Sequence, residues 1–282
     1  MTTKFRSVTN VITSMPTSDG AGVRLRRAFS HSKATPLDPF LMLDHFGSDM
    51  PEEFFAGFPM HPHRGIETVT YVLEGEVDHQ DSIGNKGTIR SGDIQWMTAG
   101  RGIMHQEMPR RTPKLDGFQL WVNLPKADKM MPPRYRDIHK EDVIEVNIGK
   151  GSNVKVIAGS FQDVTGPVKD LVVPIQYLDV ELGPGERLDT FSDPEHSAFA
   201  FVYQGRTSFG LGGGSMAGAE QTAVLGKGDF IAARAGPGGA RFLLVSGRPL
   251  REPIAWGGPI VMNTQEELEQ AFREIDEGTF IK

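Results

Sequence analysis

His61-Pro62-His63-Arg64-Gly65 runs through Ile66 into Glu67-Thr68-Val69-Thr70-Tyr71-Val72-Leu73-Glu74-Gly75, and this passage decides the fold. Its second part is rich in β-branched and aromatic residues and stops at a glycine, as a strand entering a hairpin does. Glu76–Gln80 supplies the returning strand, and Ser82-Ile83-Gly84-Asn85-Lys86-Gly87 has turn chemistry. The first part sets two imidazoles at i and i+2, a spacing that turns both to one face of a strand. His105-Gln106-Glu107, after the turn Gly100-Arg101-Gly102, repeats that spacing. Two such strands face to face bring three imidazoles and one carboxylate to a point.

Other segments read the same way. Val23–Phe29 alternates apolar and basic residues, and Phe40–Leu43 is a short apolar run after Pro36-Leu37-Asp38-Pro39. Gly92-Asp93 turns the chain into Ile94–Met97. Gly117–Leu124 places Phe118, Leu120, Val122 and Leu124 on one face, and strands resume at Val154–Gly159 and Leu171–Leu182. The stretch from Pro125 to Pro133 breaks the pattern with three prolines and reads as an interdomain break. Only the C-terminus has helical spacing, in Leu268, Ala271, Phe272 and Ile275. It follows a capping box of Thr264 and Glu267, and Gly278 is placed to close the helix.

Composition agrees with an all-β chain: 282 residues, 38% hydrophobic, with 33 glycines and 19 prolines for turns. Net charge is −6 and the pI about 5.8. With no basic run, neither nucleic acid nor an anionic membrane is an expected partner. There is no cysteine, so any metal must be held by nitrogen and oxygen. No signal-type N-terminus and no membrane-length apolar run is visible, and a soluble, cytoplasmic protein is expected. A loop at 210–215 lacks the lysine of a phosphate-binding loop, and no Gly-x-Ser-x-Gly elbow occurs.

An internal repeat sets the domain count. Tyr71–Gly75 resembles Phe201–Gly205 at an offset of 130 residues, and Ser91–Ile94 resembles Lys227–Phe230 at an offset of 136. Two copies of one β module are expected: 1–131, a linker at 132–142, and 143–282. The offsets carry His61, His63 and Glu67 onto Phe191, Asp193 and Ser197, and His105 and Glu107 onto Arg241 and Leu243. With no histidine at those places the second module is expected to be metal-free.

Neutral imidazole with carboxylate suits iron, manganese, nickel, copper or zinc, and four protein ligands leave two octahedral positions open. Glu67 competes as a carboxylate, with a supporting or salt-bridged role expected. Arg64 and Arg101 flank the ligand segments, where they either steer an anion or pair with carboxylates. Phe58, Met60, Trp96, Met97 and Met104 supply apolar bulk, some of it fit to line a pocket for a flat aromatic ligand. His31, His45, His79, His139 and His196 stand alone and receive no role.

Over nearly its whole length the sequence resembles the pirin family of the cupin superfamily. The resemblance lies in Asp38–Asp44, His61–Gly65, Gly92–Gly102, His105–Met108 and Gly117–Pro125. It implies a bicupin: two stacked, jelly-roll-like β-barrels with a single metal in the N-terminal one. The family's ligands match His61, His63, His105 and Glu107, with iron, as Fe(II), the usual metal. Bacterial members are described as quercetin 2,3-dioxygenases, oxidoreductases that open a flavonol's central ring with dioxygen. Eukaryotic members look like metal-dependent coregulators of transcription factors. The expected activity is that of the dioxygenase, in a monomer, with Glu107 as both ligand and base for the flavonol 3-hydroxyl. The alternative is a metal-dependent regulatory or protein-binding role without physiological turnover.

Overall fold

A computed structural model describes residues 3–30 and 37–281; His31 and Pro36 lie outside them. The first strands are β1 (Val8–Thr13), β2 (Met15–Asp19), β3 (Val23–Phe29), β4 (Phe40–Ser48), β5 (Phe58–His63) and β6 (Ile66–Glu74). They are followed by β7 (Glu76–Asp81), β8 (Lys86–Arg90), β9 (Ile94–Thr98), β10 (Ile103–Pro109), β11 (Leu115–Asn123) and β12 (Arg134–Ile138). Next come β13 (Ile144–Gly149), β14 (Ser152–Ala158), β15 (Ser160–Phe161), β16 (Val164–Thr165), β17 (Ile175–Leu182) and β18 (Arg187–Phe191). The last are β19 (Ser197–Phe209), β20 (Ser215–Gly218), β21 (Gln221–Leu225), β22 (Phe230–Gly247), β23 (Ala255–Gly257) and β24 (Ile260–Met262), before helix α1 (Gln265–Asp276). No helix among the described residues is long and apolar enough to cross a membrane.

The chain forms two compact units. One consists of Pro16–Arg27, Phe40–Lys140 and Leu250–Lys282, the other of Met1–Met15, Ala28–Pro39 and Glu141–Pro249. In the first unit a sheet in the order β12-β9-β6-β11-β4-β3-β2 accompanies a second sheet, β5-β10-β7-β8. In the other unit the path β1-β21-β19-β22-β17-β14-β13 carries β18 and β20 on its long strands. The two orders match position by position, with β1 standing where β12 stands and β22 doing the work of β10 and β11 together. Each unit is thus one copy of the same β module.

Alternation explains the fill. Phe118, Leu120, Val122 and Leu124 are all fully buried, as their shared face requires. In the second unit an apolar cluster fills the interior, from Val154 and Val156 on β14 to Phe242 and Leu244 on β22, with Thr190 and Thr207 as its buried hydroxyls. In the first, apolar clusters around Val72 and Ile66 share the barrel with buried His63, Glu67, Gln95, His105 and Glu107.

Three expectations change. Residues 132–142 are not a bare linker, because Arg134–Ile138 pairs with β9 as an edge strand. Its Arg-Tyr-Arg-Asp polarity hides it, since an edge strand need not look apolar. The tail 250–282, expected with the second module, packs with the first. There Val261 N–H donates to the Arg64 carbonyl, and a Cβ on Gly65 would sit 1.9 Å from the Val261 oxygen. Gly65 has φ +78, so this close approach needs glycine.

The third change is the register of the repeat. Gly75 and Gly205 both have positive φ and end matching strand halves. Two residues on, Val77 faces Pro109 and Thr207 faces Ala235. His105 and Glu107 therefore correspond to Ile231 and Ala233, not to Arg241 and Leu243. His61 faces His105 and Thr190 faces Ile231, so His61 corresponds to Thr190 rather than Phe191. Gly228-Asp229 leads into the counterpart of β10, and β9 corresponds to β21. Shared turn chemistry produced the false anchor.

The helix keeps its expected form. Thr264 Oγ1 accepts from Glu267 N–H, and Glu267 reaches back to Thr264 N–H. Leu268 and Ala271 are buried, Phe272 is exposed, and Glu274 turns inward to pair with Arg64.

Candidate metal centre

β5 and β10 pair antiparallel, with His105 opposite His61 and Ile103 opposite His63. Spacing of i, i+2 then turns His61, His63, His105 and Glu107 to one side. The three imidazoles gather: one ligand atom from each lies within 4.8 Å of the others. Ring centroids are 4.4 Å apart for His61 and His105, and 5.0 Å for His63 and His105.

Hydrogen bonding decides which nitrogens point inward. His61 Nδ1 donates to the Pro59 carbonyl at 2.8 Å, and His63 Nδ1 to the Pro259 carbonyl at 3.2 Å. With the protons on Nδ1, each Nε2 offers a bare lone pair. These two Nε2 atoms are 3.0 Å apart. Two nitrogens bound cis to one metal at about 2.1 Å are separated by about 3.0 Å. Both nitrogens of His105, a residue 1% exposed, lack any partner among the described residues.

A proton is a poor substitute for a metal here. Burial, reinforced by His61, pushes His63 down to about 3. Burial together with His63, His61 and His79 holds His105 well below the usual imidazole range. Neutral, inward-facing lone pairs with no donor fit a divalent cation, and the nitrogen donor set suits a first-row metal.

Glu107 lies outside the group of ligand atoms within 4.8 Å. Its buried carboxylate accepts from Thr70 Oγ1 at 2.9 Å and from Gln119 Nε2 at 2.8 Å. Glu67 is salt-bridged instead: its Oε1 accepts from Thr98 Oγ1 at 2.5 Å and from Arg136 at 3.0 Å. Arg64 steers nothing, being buried against Glu274 at 2.7 Å and lying over the Phe280 ring. It also donates to the Arg101 carbonyl at 2.6 Å.

A cavity of about 540 Å³ opens on the cluster, within the range that takes a small organic ligand. His61 and His63 line it with Phe58, Trp121, Trp256 and Gln119. Of the expected apolar residues only Phe58 is among them; Trp96 and Met97 are buried in the core, and Met60 is exposed. On the same wall Arg27 is gripped by Asp44 through two bonds of 2.8 Å and by Asp19 at 2.9 Å.

Several of these residues had no usable sequence signal. Pro259 and Trp256 come from the tail, and Gln119 is a polar residue between the apolar Phe118 and Leu120. His79 had a signal: it lies on the inward face of β7, opposite Glu107, and stacks on Tyr135 at 5.8 Å. Of the others, His45 contacts Asp116 at 2.8 Å, His139 lies 3.6 Å from Asp93, and His196 lies 3.8 Å from Asp193.

Paired β modules, one with a three-histidine cluster under an aromatic-walled cavity, define a two-domain cupin protein with a cluster able to hold a divalent metal. Family models described as Pirin and as the Pirin C-terminal cupin domain match residues 22–122 and 177–281. The chain is 43% identical over 278 residues to a pirin-like protein of Caulobacter vibrioides, covering 98% of this chain and 99% of that one. It is 39% identical over 273 residues to human Pirin, covering 96% and 92%. A crystal structure of quercetin 2,3-dioxygenase from Acinetobacter baumannii matches with a TM-score of 0.91 at 32% identity, covering 98% of each chain. The chain belongs to the pirin family.

Proposed function

We propose that this protein is a metal-dependent dioxygenase of flavonol-type substrates, in which His61, His63, His105 and Glu107 hold one divalent ion, iron(II) by preference. The observation that carries the reading is the bare, mutually facing Nε2 pair of His61 and His63 at the wall of an aromatic-lined cavity. The name of the Acinetobacter relative supports the substrate class.

When bound, the metal acidifies a ligated hydroxyl and provides the site for chemistry with dioxygen. The chain's own residues do the rest. Trp121 and Trp256, with centroids 5.9 Å apart and planes tilted by 32°, give an aromatic lining beside His63 for a planar ring system. Glu107 is the base that takes the proton of the flavonol 3-hydroxyl, its oxygens already oriented by Thr70 and Gln119. The carbonyls of Pro59 and Pro259 keep both imidazoles in the ligating tautomer. Burial of His105 and Glu107 excludes water from the reacting side.

Metal-loaded protein is expected to consume quercetin and oxygen together, and His63→Ala and Glu107→Ala to abolish that uptake. Oxygen-electrode traces over a flavonol series decide it. Turnover unchanged in both variants, or no uptake with any flavonol by iron-loaded protein, refutes the assignment.

A further inference from the structure

Gln119, on β11, lines the cavity and touches the carboxylate of Glu107. Its amide has one possible orientation. The Trp121 indole N–H, which can only donate, bonds Gln119 Oε1 at 3.2 Å. That leaves Nε2 to donate to Glu107 Oε2 at 2.8 Å, with Thr70 Oγ1 at 3.3 Å. A flipped amide would set oxygen against carboxylate and nitrogen against indole, losing both bonds. Thr70 supplies the other carboxylate oxygen at 2.9 Å. Each Glu107 oxygen thus has one donor and retains lone-pair capacity.

We propose that Gln119, locked by Trp121, is the positioning residue that makes Glu107 a metal ligand. Glu107 stands outside the tight imidazole group, so its contribution depends on what orients it. A free glutamate side chain would sample several rotamers, and ordering it on binding would weaken the metal's hold. The Trp121–Gln119–Glu107 chain removes that freedom in advance. Trp121 also meets the His63 ring edge-on at 5.0 Å, so one indole sets both a histidine and, through Gln119, the carboxylate. The inference rests on the four-ligand reading above and not on the identity of the substrate.

Full-length protein freed of metal by chelation is titrated with cobalt(II), followed by its visible ligand-field bands and by calorimetry. Gln119→Leu is expected to weaken cobalt binding by about 10- to 100-fold and to change band intensities, as loss of an orienting partner does. Trp121→Phe, which keeps an aromatic ring and removes the N–H, is expected to weaken it less but in the same sense. Gln119→Leu combined with Glu107→Gln is expected to bind no more weakly than Glu107→Gln alone, because Gln119 acts through Glu107. Gln119→Leu with wild-type affinity and spectrum, while Glu107→Gln is impaired, overturns the proposal and spares the four-ligand reading. Full additivity of the two substitutions also overturns it. Wild-type binding by Glu107→Gln refutes the four-ligand reading itself. If Gln119→Leu does not fold, Trp121→Phe decides, and unchanged affinity and spectrum there are fatal.

Discussion

The two barrels share one strand order and differ in what their strands turn inward. β10 presents Ile103, His105, Glu107 and Pro109 to its interior, whereas the matching half of β22 presents Ile231, Ala233 and Ala235. Opposite them stand His61 in one barrel and Thr190 in the other. The β ladder is built from main-chain groups and is indifferent to this choice. Stability and chemistry are not. An apolar interior gains from burial with nothing to satisfy, while a polar one must find a partner for every buried nitrogen and oxygen. The barrel with the three histidines meets part of that demand with the Thr70–Gln119–Trp121 set, the Arg136–Glu67–Thr98 set and, in our reading, an ion.

The comparison breaks most sharply if a ligand is moved across it. Ala233→Glu places a carboxylate where Glu107 stands in the other barrel but without donors, and is expected to cost about 3–5 kcal/mol. Hydrogen exchange along β22 reads the loss; protection equal to wild type would mean the apolar barrel can accommodate charge.

Next in size is the ion. All three tryptophans, Trp96, Trp121 and Trp256, lie in the unit that holds the three-histidine cluster, so their fluorescence reports that barrel alone. Metal at 100 times its Kd is expected to raise its unfolding free energy by about 2.7 kcal/mol. His105→Leu should remove that rise while leaving metal-free stability within about 1 kcal/mol, since the lost nitrogens had no partner. A metal-induced rise that survives His105→Leu would place the ion elsewhere.

A smaller effect concerns the tail, which has no matching element in the strand order of the other barrel. Lys129 Nζ donates to the Gly65 carbonyl, Asn123 Oδ1 and the Val261 carbonyl at 2.8, 2.6 and 3.0 Å. Lys129→Met leaves these buried acceptors short of a donor and is expected to cost about 2 kcal/mol in the tryptophan-monitored transition. Exchange in β17 and β19 should stay unchanged; loosening there would mean the tail supports both barrels. Smallest is the helix cap: Thr264→Ala removes one half of the capping box and is expected to cost about 1 kcal/mol, visible as faster exchange at Glu267.

Much of this was legible beforehand. Val23–Phe29, Glu67–Leu73, Glu76–Gln80 and Ile94–Met97 all lie within strands, because alternation and β-branching act over a few residues. The i, i+2 histidine pair likewise carried its own geometry. β12 was missed because an edge strand with charged residues does not look like a strand. The tail's place was missed because the reason for it, a glycine beside the ligands admitting a distant carbonyl, is invisible from either segment alone. The repeat is visible in the sequence, but its Gly-Asp turn does not fix the register, since such turns recur wherever a strand begins.

By itself the sequence determined that this is a twice-repeated β protein with three imidazoles and a carboxylate in two strand-spaced pairs. Those facts are local, set by residues within a few positions of one another. Tertiary structure alone decided that β1 fills in one barrel the place of β12 in the other, that Pro259 holds a histidine 196 residues away, and that Gln119 faces Glu107. The reason is physical: a hydrogen bond between distant segments depends on the path of the whole chain and on the register of every ladder between them, which no short window of sequence contains.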